Sequence, residues 1–360
     1  MSASDSTNYH ISEERDLPEF INKKTLAVVL IVLVLLMVGM EIKAHKDNYL
    51  VNYPFSKDMW VKQWLRLDDL PDHQTVIIGA SRAQFGLIVN EWERQLGERP
   101  LMFAWPGQSP NPVLAELAKR ESFKGTVICS IAPPFTFIHE KAFWGQWMAA
   151  NIKSSKTADS SLSYHLSMQA VEILRPRFPS LNDAAYSPIA YGYANFPIEN
   201  REGVLLPAIF RFNATRDADL QMRFLDLVEQ SEERQQSILK RQASFRPRLS
   251  FYGPANMEKL LARVKADIRK IESRGGQVIL IRPPSNGTFR DFERTHYPRE
   301  QYFDALCEAT GCYSIHFEDH PELANYVCVD ESHLSKKDAV IFTQQVIEIL
   351  KNEGLVRQAE

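Results

Sequence analysis

Three residues have the side chains that a serine-based reaction on an ester requires. Ser81 lies within Gly79–Arg82 (GASR), and Asp330 and His333 lie within Val329–Leu334 (VDESHL). A serine hydroxyl is a weak nucleophile until a base removes its proton, and an imidazole oriented by a carboxylate is such a base. Three positions apart, Asp330 and His333 can project to the same side of a loop or first helical turn. We therefore expect Ser81 to be a nucleophile, His333 its base and Asp330 the group that orients the base.

The sequence around these residues predicts where they lie in a fold. Residues 75–78 (TVII) form an apolar, β-branched run that Gly79 ends, as expected for a strand buried on both faces of a parallel sheet. A helix is expected from about Ser81, so its first amides can donate to a developing oxyanion. Ligands of open α/β sheets bind at this end of the strands. His333 comes directly before the last predicted helix, residues 336–351.

Alternating strand and helix patterns predict an α/β fold. We expect a three-layer α/β/α sandwich with a mainly parallel sheet, spanning residues 75–352. The interval between the third and fourth strand-like runs is much longer than an ordinary crossover, which predicts a large insertion at about residues 135–255. The strand-like runs that follow the first lie at residues 101–104, 126–131, 277–281 and 314–317.

An uninterrupted apolar stretch near the N-terminus predicts a membrane segment. Residues 26–40 (LAVVLIVLVLLMVGM) follow Lys23 and Lys24 and end at Glu41, and no small-residue cleavage site comes after them. We interpret residues 25–43 as an uncleaved signal anchor. The domains are then a cytoplasmic tail (1–24), the anchor, a juxtamembrane connector (44–74), the large domain and a short tail (353–360). The basic residues around the anchor favour a large domain outside the cytoplasm, which in a bacterium is the periplasmic side of the inner membrane.

Charge and cysteine content limit the partners of the chain. The chain has 42 basic and 45 acidic residues, intermixed along its length, so no overall field favours nucleic acid. The four cysteines lack the paired spacing of zinc sites, and neither a metal nor a cofactor is expected. Cys129 is expected to pack in the core. In an oxidising compartment, two of Cys307, Cys312 and Cys328 can pair, and the sequence does not select which.

The order of these motifs resembles the SGNH, or GDSL-like, hydrolase family. In that family a serine follows the first strand and Asp-x-x-His precedes the last helix, and the resemblance covers residues 74–132 and 277–350. A glycine after the second strand and an asparagine after the third complete the family's oxyanion hole. Gly107 matches the glycine, which with Ser81 gives two amide donors. The chain departs from the family at Ser130–Pro134 (SIAPP), where no asparagine is present.

The resemblance also implies a function and partners. The GASR form of the serine motif is similar to membrane-anchored members linked to acylation of cell-surface polysaccharide or teichoic acid. It implies a membrane-anchored serine esterase or O-acyltransferase that forms an acyl-serine. Its substrate would be acylated carbohydrate or a lipid-linked glycan, with a membrane acyltransferase as a candidate partner. The missing asparagine favours the alternative, a weak or inactive relative that binds glycan or acts as a scaffold in a polysaccharide export or acylation complex.

Four further residues are candidates for substrate binding. Arg282 follows the fourth predicted strand, where it can hold an anionic sugar or a phosphate, and a structural salt bridge is an equally good interpretation. The other three, Arg82, Asn111 and Asn286, are candidates to replace the missing oxyanion donor.

Overall fold

The computed structural model describes residues 22–46, 51–139, 142–178, 213–251 and 256–356. The chain divides into two compact units, Met1–Asn48 and Tyr49–Glu360. The described part of the first unit contains helix α1 (Lys23–Lys46). This helix has 24 residues and is about 36 Å long at 1.5 Å per residue. Both its length and its apolar composition are sufficient for it to cross a membrane.

A five-stranded parallel sheet forms the centre of the second unit, which confirms the predicted α/β fold. The strand order is β2-β1-β3-β6-β7. In register, Val76 pairs with both Leu101 and Val127, and Thr126 pairs with Gln277. The strands are β1 (Val76–Ile78), β2 (Leu101–Met102), β3 (Thr126–Ser130), β6 (Gln277–Arg282) and β7 (Ser314–His316), and a separate hairpin has β4 (Ala214–Arg216) and β5 (Met222–Phe224).

Helices cover the sheet in two groups. In the first, α15 (Lys336–Asn352) packs against α3 (Ser81–Gly86) and α4 (Val89–Leu96). In the second, α11 (Met257–Glu272) packs against α5 (Asn111–Lys119). Right-handed crossovers with this strand order put the two groups on opposite faces, which gives the three layers expected. Short elements complete this part: α12 (Gly287–His296), a π turn (Glu300–Asp304), α13 (Ala305–Thr310), a 3₁₀ turn (Phe317–Asp319) and α14 (Pro321–Ala324).

A long segment separates β3 from β6, as the sequence predicts. Its hairpin and its later helices form a second, smaller core around Phe224, and Phe85 of α3 belongs to that core. The described part of the insertion is therefore joined to the sandwich through shared apolar packing. Residues 179–212 lie outside the described residues. The helices are α6 (Pro133–Thr136), α7 (Phe143–Asp159), α8 (Leu162–Arg177), α9 (Asp226–Glu229) and α10 (Glu232–Phe251).

The segment expected to be a juxtamembrane connector belongs largely to the compact unit. Helix α2 (Lys57–Arg66) buries Trp60 and Trp64, four positions apart, in the main core. The indole nitrogen of Trp60 donates to Phe103 O at 2.9 Å. Apolar side chains at helical spacing become buried when another part of the chain packs against that side of the helix. Here the loop after β2 packs against it. The domain therefore begins near Tyr49 rather than at residue 75.

Candidate active site

Ser81, His333 and Asp330 form one hydrogen-bonded chain. Ser81 Oγ lies 2.7 Å from His333 Nε2, and His333 Nδ1 lies 2.8 Å from Asp330 Oδ2 and 2.9 Å from Oδ1. All three side chains are buried. With the carboxylate accepting from Nδ1–H, Nε2 is left to accept the serine proton. The proximity that the motifs predict is confirmed, across a separation of 252 positions.

The end of β1 places Ser81 at the edge of the sheet. Gly79 follows the strand with φ +155°, and a Cβ at this position would lie 2.9 Å from Ser130 Cβ and 3.0 Å from Ser130 O. Only glycine lets the chain pass this close to β3. Ser81 is then the first residue of α3. Ser81 therefore lies at a helix start beside the central strands, where the strand order reverses direction.

The loop after β2 is attached to the loop that carries the nucleophile. Trp105 N donates to Gly79 O at 3.2 Å, and Gln108 N donates to Trp105 O at 3.1 Å. The second bond closes a turn that contains Gly107, whose φ of +69° suits glycine. This turn places Gly107, the expected second oxyanion donor, in a loop that borders the Ser81 loop.

Ser130 occupies the end of β3, next to the place where the SGNH family carries its asparagine. Its side chain is fully buried against Gly79. Among the described residues, its hydroxyl has no hydrogen-bond partner. A buried, unpaired hydroxyl is costly, so such a group usually has a specific role. Ser130 is a residue that the sequence pattern did not single out.

The insertion supplies a further ligand to the carboxylate of Asp330. Gln242 Nε2, on α10, donates to Asp330 Oδ2 at 2.6 Å. The backbone amides of His333 and Ser332 donate to Oδ1 at 2.8 and 3.2 Å. Together with the imidazole, these donors fix both oxygens of the carboxylate. Sequence reasoning missed Gln242, because nothing in the periodicity of α10 shows which residue reaches Asp330.

We expect Gln242→Leu to lower the reactivity of the Ser81 hydroxyl. The side chain keeps its approximate volume but loses a hydrogen bond to a charged group, which is worth about 1.5–3 kcal/mol and corresponds to roughly tenfold or more in rate. The rate of Ser81 modification by a fluorophosphonate measures this effect. Gln235→Leu is the matched control, since Gln235 lies on the same helix but donates to Val228 O and Glu229 O. Equal rates in the two variants would contradict a role for Gln242.

Glu331 holds the loop between Asp330 and His333 in an uncommon conformation. Its φ is +64°, and its carboxylate accepts from Phe289 N at 2.9 Å and Thr288 Oγ1 at 2.7 Å. Burial acts to raise the pKa of Glu331, but these bonds outweigh it, so the pKa is lowered. A Cβ at Gly287 would lie 2.3 Å from the Glu331 carboxylate. The start of α12 and the Asp330–His333 loop therefore form one tightly fitted unit.

Asn286 strengthens the same unit. Its side-chain oxygen accepts from Cys328 N at 3.0 Å, and its backbone N donates to Glu331 O at 3.0 Å. Asn286, a candidate for substrate binding in the sequence, therefore makes contacts that position the loop carrying Asp330 and His333.

Arg82 connects Ser81 to the loop that carries His333. Its Nε donates to Ser332 Oγ at 3.1 Å, and its Nη1 lies 2.8 Å from Glu293 Oε1. Arg282 Nη2 lies 2.5 Å from the other oxygen of Glu293. All three charged side chains are at most 3% exposed. Neither arginine is therefore open to a substrate. Arg282 forms a structural salt bridge, which is the second interpretation that the sequence allows, and Arg82 holds the Ser81 loop to the loop that carries His333.

In the cluster of Arg82, Arg282 and Glu293, the charges and the burial have opposite effects on the pKa of the carboxyl group. Burial acts to raise the pKa of Glu293, but the positive charges of Arg282 and Arg82 outweigh it, so the pKa is lowered and the carboxylate is ionised. Burial, more than any charge, lowers the pKa of Arg282 to about 9. The cluster thus carries two guanidinium groups on one carboxylate, and Ser285 Oγ adds a hydrogen bond to Glu293 at 2.7 Å.

Two aromatic rings surround the imidazole. The centroid of Phe85 lies 4.6 Å from that of His333, and the centroid of Phe224 lies 6.2 Å from it. Phe85 stands four positions after Ser81 on α3, and Phe224 belongs to the hairpin of the insertion. These contacts restrict rotation of the ring and keep Nε2 directed at Ser81.

Asn111 lies at the start of α5 in a groove near the Gly107 turn. Its Nδ2 donates to Thr136 O at 2.9 Å. The groove has a volume of about 270 Å³ and is also lined by Ser109 and by residues of α7 and α11. Asn111 therefore keeps a place where a ligand can reach it, although its amide already has one partner.

The four cysteines are free thiols. Cys129 is buried in the main core, as expected. No pair of the other three forms a disulfide in this structure.

Comparison with known proteins does not identify a relative. No protein-family model matches the chain, and a search of the curated proteins finds no match. The resemblance to SGNH hydrolases rests on the motifs and their positions alone.

Proposed function

We propose that the protein is a membrane-anchored serine esterase or O-acyltransferase. The observation that supports this most strongly is the hydrogen-bonded chain from Ser81 through His333 to Asp330, at the end of the first strand. A buried serine with an imidazole at 2.7 Å, itself oriented by a carboxylate with three further donors, meets the geometric requirements for nucleophilic catalysis.

The reaction has two halves. Ser81 Oγ attacks the carbonyl carbon of an ester while His333 Nε2 takes the serine proton, and the oxyanion accepts from the Ser81 and Gly107 amides. The C–O bond to the alcohol then breaks, His333 returns the proton to the leaving oxygen, and an acyl-serine remains. In the second half, His333 deprotonates water or a sugar hydroxyl, which attacks the acyl-serine and frees Ser81.

The substrate we propose is acylated carbohydrate at a cell surface, or its lipid-linked precursor. This part rests on the resemblance of the GASR motif and on the apolar helix α1, which is long enough to anchor the domain to a membrane. With the N-terminal tail in the cytoplasm, the compact unit lies outside it, where such glycans are assembled. A membrane acyltransferase that loads Ser81 would be the partner for the transferase reaction.

A second candidate is a glycan-binding protein without catalysis. The missing asparagine after β3 favours it, because loss of one oxyanion donor typically costs about 3–4 kcal/mol of transition-state stabilisation. Ser130 is the side chain at that strand end, and its hydroxyl, which has no hydrogen-bond partner in the described part of the chain, is the group that would have to compensate.

Covalent modification of the full-length protein distinguishes the two candidates. We expect a fluorophosphonate to add one phosphonyl group, mapped by peptide mass spectrometry to the peptide that contains Ser81. Ser81→Ala should lose the adduct, and Ser244→Ala, an exposed serine on α10, should retain it. Absence of any adduct on the folded protein would favour the binding protein.

A further inference from the structure

Helix α8 carries a row of apolar side chains that faces away from its own unit. Leu162, Leu166 and Ile173 are 73%, 56% and 52% exposed. Their spacings of four and seven put them on one side of the helix, and Leu174 widens the row. Met168, on the opposite side, is buried. Single exposed leucines are ordinary, but three large apolar side chains on one side of a helix, with the exposed Gln169 between Leu166 and Ile173, form a patch that suits an apolar partner.

The inner side of α8 lies against the first residues of the compact unit. Tyr164 Oη donates to Asp58 O at 3.3 Å, near the start of α2. Arg175 Nη1 donates to Asn52 O at 3.4 Å, near the other end of α8. Both ends of α8 therefore contact the segment through which the chain enters this unit.

That segment is close along the chain to α1. Helix α1 ends at Lys46, and residue 51 already belongs to the described part of the compact unit. The six steps along the chain from residue 46 to residue 52, at about 3.5 Å each, span roughly 21 Å at most. When α1 crosses a bilayer, Asn52 is held within that reach of the bilayer surface. Because the last turn of α8 contacts Asn52, that end of the helix is held near the same surface.

The residues at the end of α8 suit a lipid boundary. Arg177, in its last turn, is exposed, and Phe178, directly after it, is 43% exposed. Amphipathic helices at membrane surfaces bury leucine and phenylalanine in the acyl boundary, while arginine stems reach the headgroups. We propose that the outer face of α8 binds the surface of the membrane that α1 spans. This contact would fix the orientation of the compact unit on the bilayer, whatever reaction the unit performs.

Lipid quenching of a site-specific fluorophore tests this proposal. The full-length protein, with Cys307→Ser to remove the half-buried thiol, carries either Leu166→Cys or Ala266→Cys, each labelled with an environment-sensitive dye. Ala266 is an exposed position on α11 and is the matched control. In vesicles of phosphatidylcholine and phosphatidylglycerol with spin-labelled lipid, we expect the dye at 166 to be quenched at least about twofold more than the dye at 266, because such helices lie roughly 5–10 Å deep in the boundary.

Other occupants of the face give different results. Equal quenching at the two positions would overturn the proposal, and it is the result expected if residues 179–212 of this chain, or a second copy, cover the row. The variant Leu162→Asp/Leu166→Asp adds a second measurement. A face that binds lipid tolerates these charges, so the variant should melt in detergent at the temperature of the parent and lose the preferential quenching of a dye at Ile173→Cys. A clearly lower melting temperature would show that protein covers the face, and would also overturn the proposal.

Discussion

Ser81→Ala and His333→Ala should each abolish hydrolysis of an activated aryl acetate, with a fall of about 10⁴-fold or more in kcat/KM. The reason is that the hydroxyl and the imidazole act as one unit, joined by a single contact of 2.7 Å. Without the imidazole the hydroxyl keeps its proton, and without the hydroxyl the imidazole has no nucleophile to activate. The double variant should therefore be no slower than either single variant.

Substitution of Asp330, whose carboxylate orients His333, should give a related result that can be measured separately. Asp330→Asn replaces an acceptor of the imidazole N–H by an amide that can itself donate, which favours the wrong tautomer of His333. A loss of about 10⁴-fold is typical of this change in serine enzymes. In this variant Gln242 Nε2 also loses its anionic acceptor. The loss of activation free energy in the double variant Asp330→Asn/Gln242→Leu should therefore differ greatly from the sum of the losses in the two single variants.

Hydrolysis of the aryl acetate by purified full-length variants measures these effects, once the rate without protein is subtracted. Thermal melting of each variant confirms that it is folded, and Ser244→Ala controls for substitution of a serine as such. If Ser81→Ala keeps a tenth or more of the parent rate, about 1.4 kcal/mol or less of barrier, then the activity does not use Ser81.

The proximity of Ser81, His333 and Asp330 is predictable because each of their motifs adjoins a recognisable element. The apolar run before Gly79 predicts a buried strand, and the pattern after His333 predicts an amphipathic helix. In this fold class the loops that carry Ser81 and His333 therefore lie at the same edge of the sheet. For Ser81, His333 and Asp330 the position in the secondary structure is sufficient. The role of Gly107 is predicted only by the resemblance to a family that carries a glycine after its second strand.

The residues that support the triad depend on contacts that periodicity does not encode. Gln242 lies on a helix of the insertion whose path over the sheet cannot be read from its composition. The contacts of Arg82 and Arg282 are equally hard to predict. Both residues follow predicted strands, where an exposed arginine could contact a substrate. Their guanidinium groups instead reach Glu293, which lies in a helix whose sequence gives no sign of this role. The sequence predicts a connector where helix α2 lies, because the two tryptophans of this helix find their partner only once the loop after β2 is in place.

Glu293→Gln should destabilise the fold by about 3–5 kcal/mol, the usual result of removing one partner from a buried ion pair. The amide has nearly the same volume, so the loss comes from charge: Arg82 and Arg282, both at most 3% exposed, are left as two buried cations without an anion. The urea midpoint of the full-length protein in detergent measures this change. Glu116→Gln, which removes an exposed pair with Lys119, is the matched control and should cost less than about 1 kcal/mol.

The pH dependence of this difference follows from the lowered pKa of Glu293. A carboxyl whose pKa is lower in the folded state stabilises the fold fully above its unfolded-state pKa, which for glutamate is about 4.3. That stabilisation is lost as the pH falls through the lower folded-state value. The difference in the free energy of unfolding between the parent and Glu293→Gln should therefore be constant at neutral pH and decrease only in strong acid. A gap that closes between pH 8 and pH 6 would show that some other group carries the effect.

Glu293→Gln should also separate the structural and catalytic consequences of the cluster. Once its ion pair is lost, Arg82 no longer holds Ser332, whose amide is one of the donors to Asp330. We expect kcat for ester hydrolysis to fall while KM changes little, because the cluster is sealed from substrate and acts only through the position of the triad. Glu293→Asp keeps the charge and should recover part of both stability and kcat. If Glu293→Gln lowers stability but leaves kcat at the parent value, then the link from Arg82 to the His333 loop does not contribute to the alignment of the base.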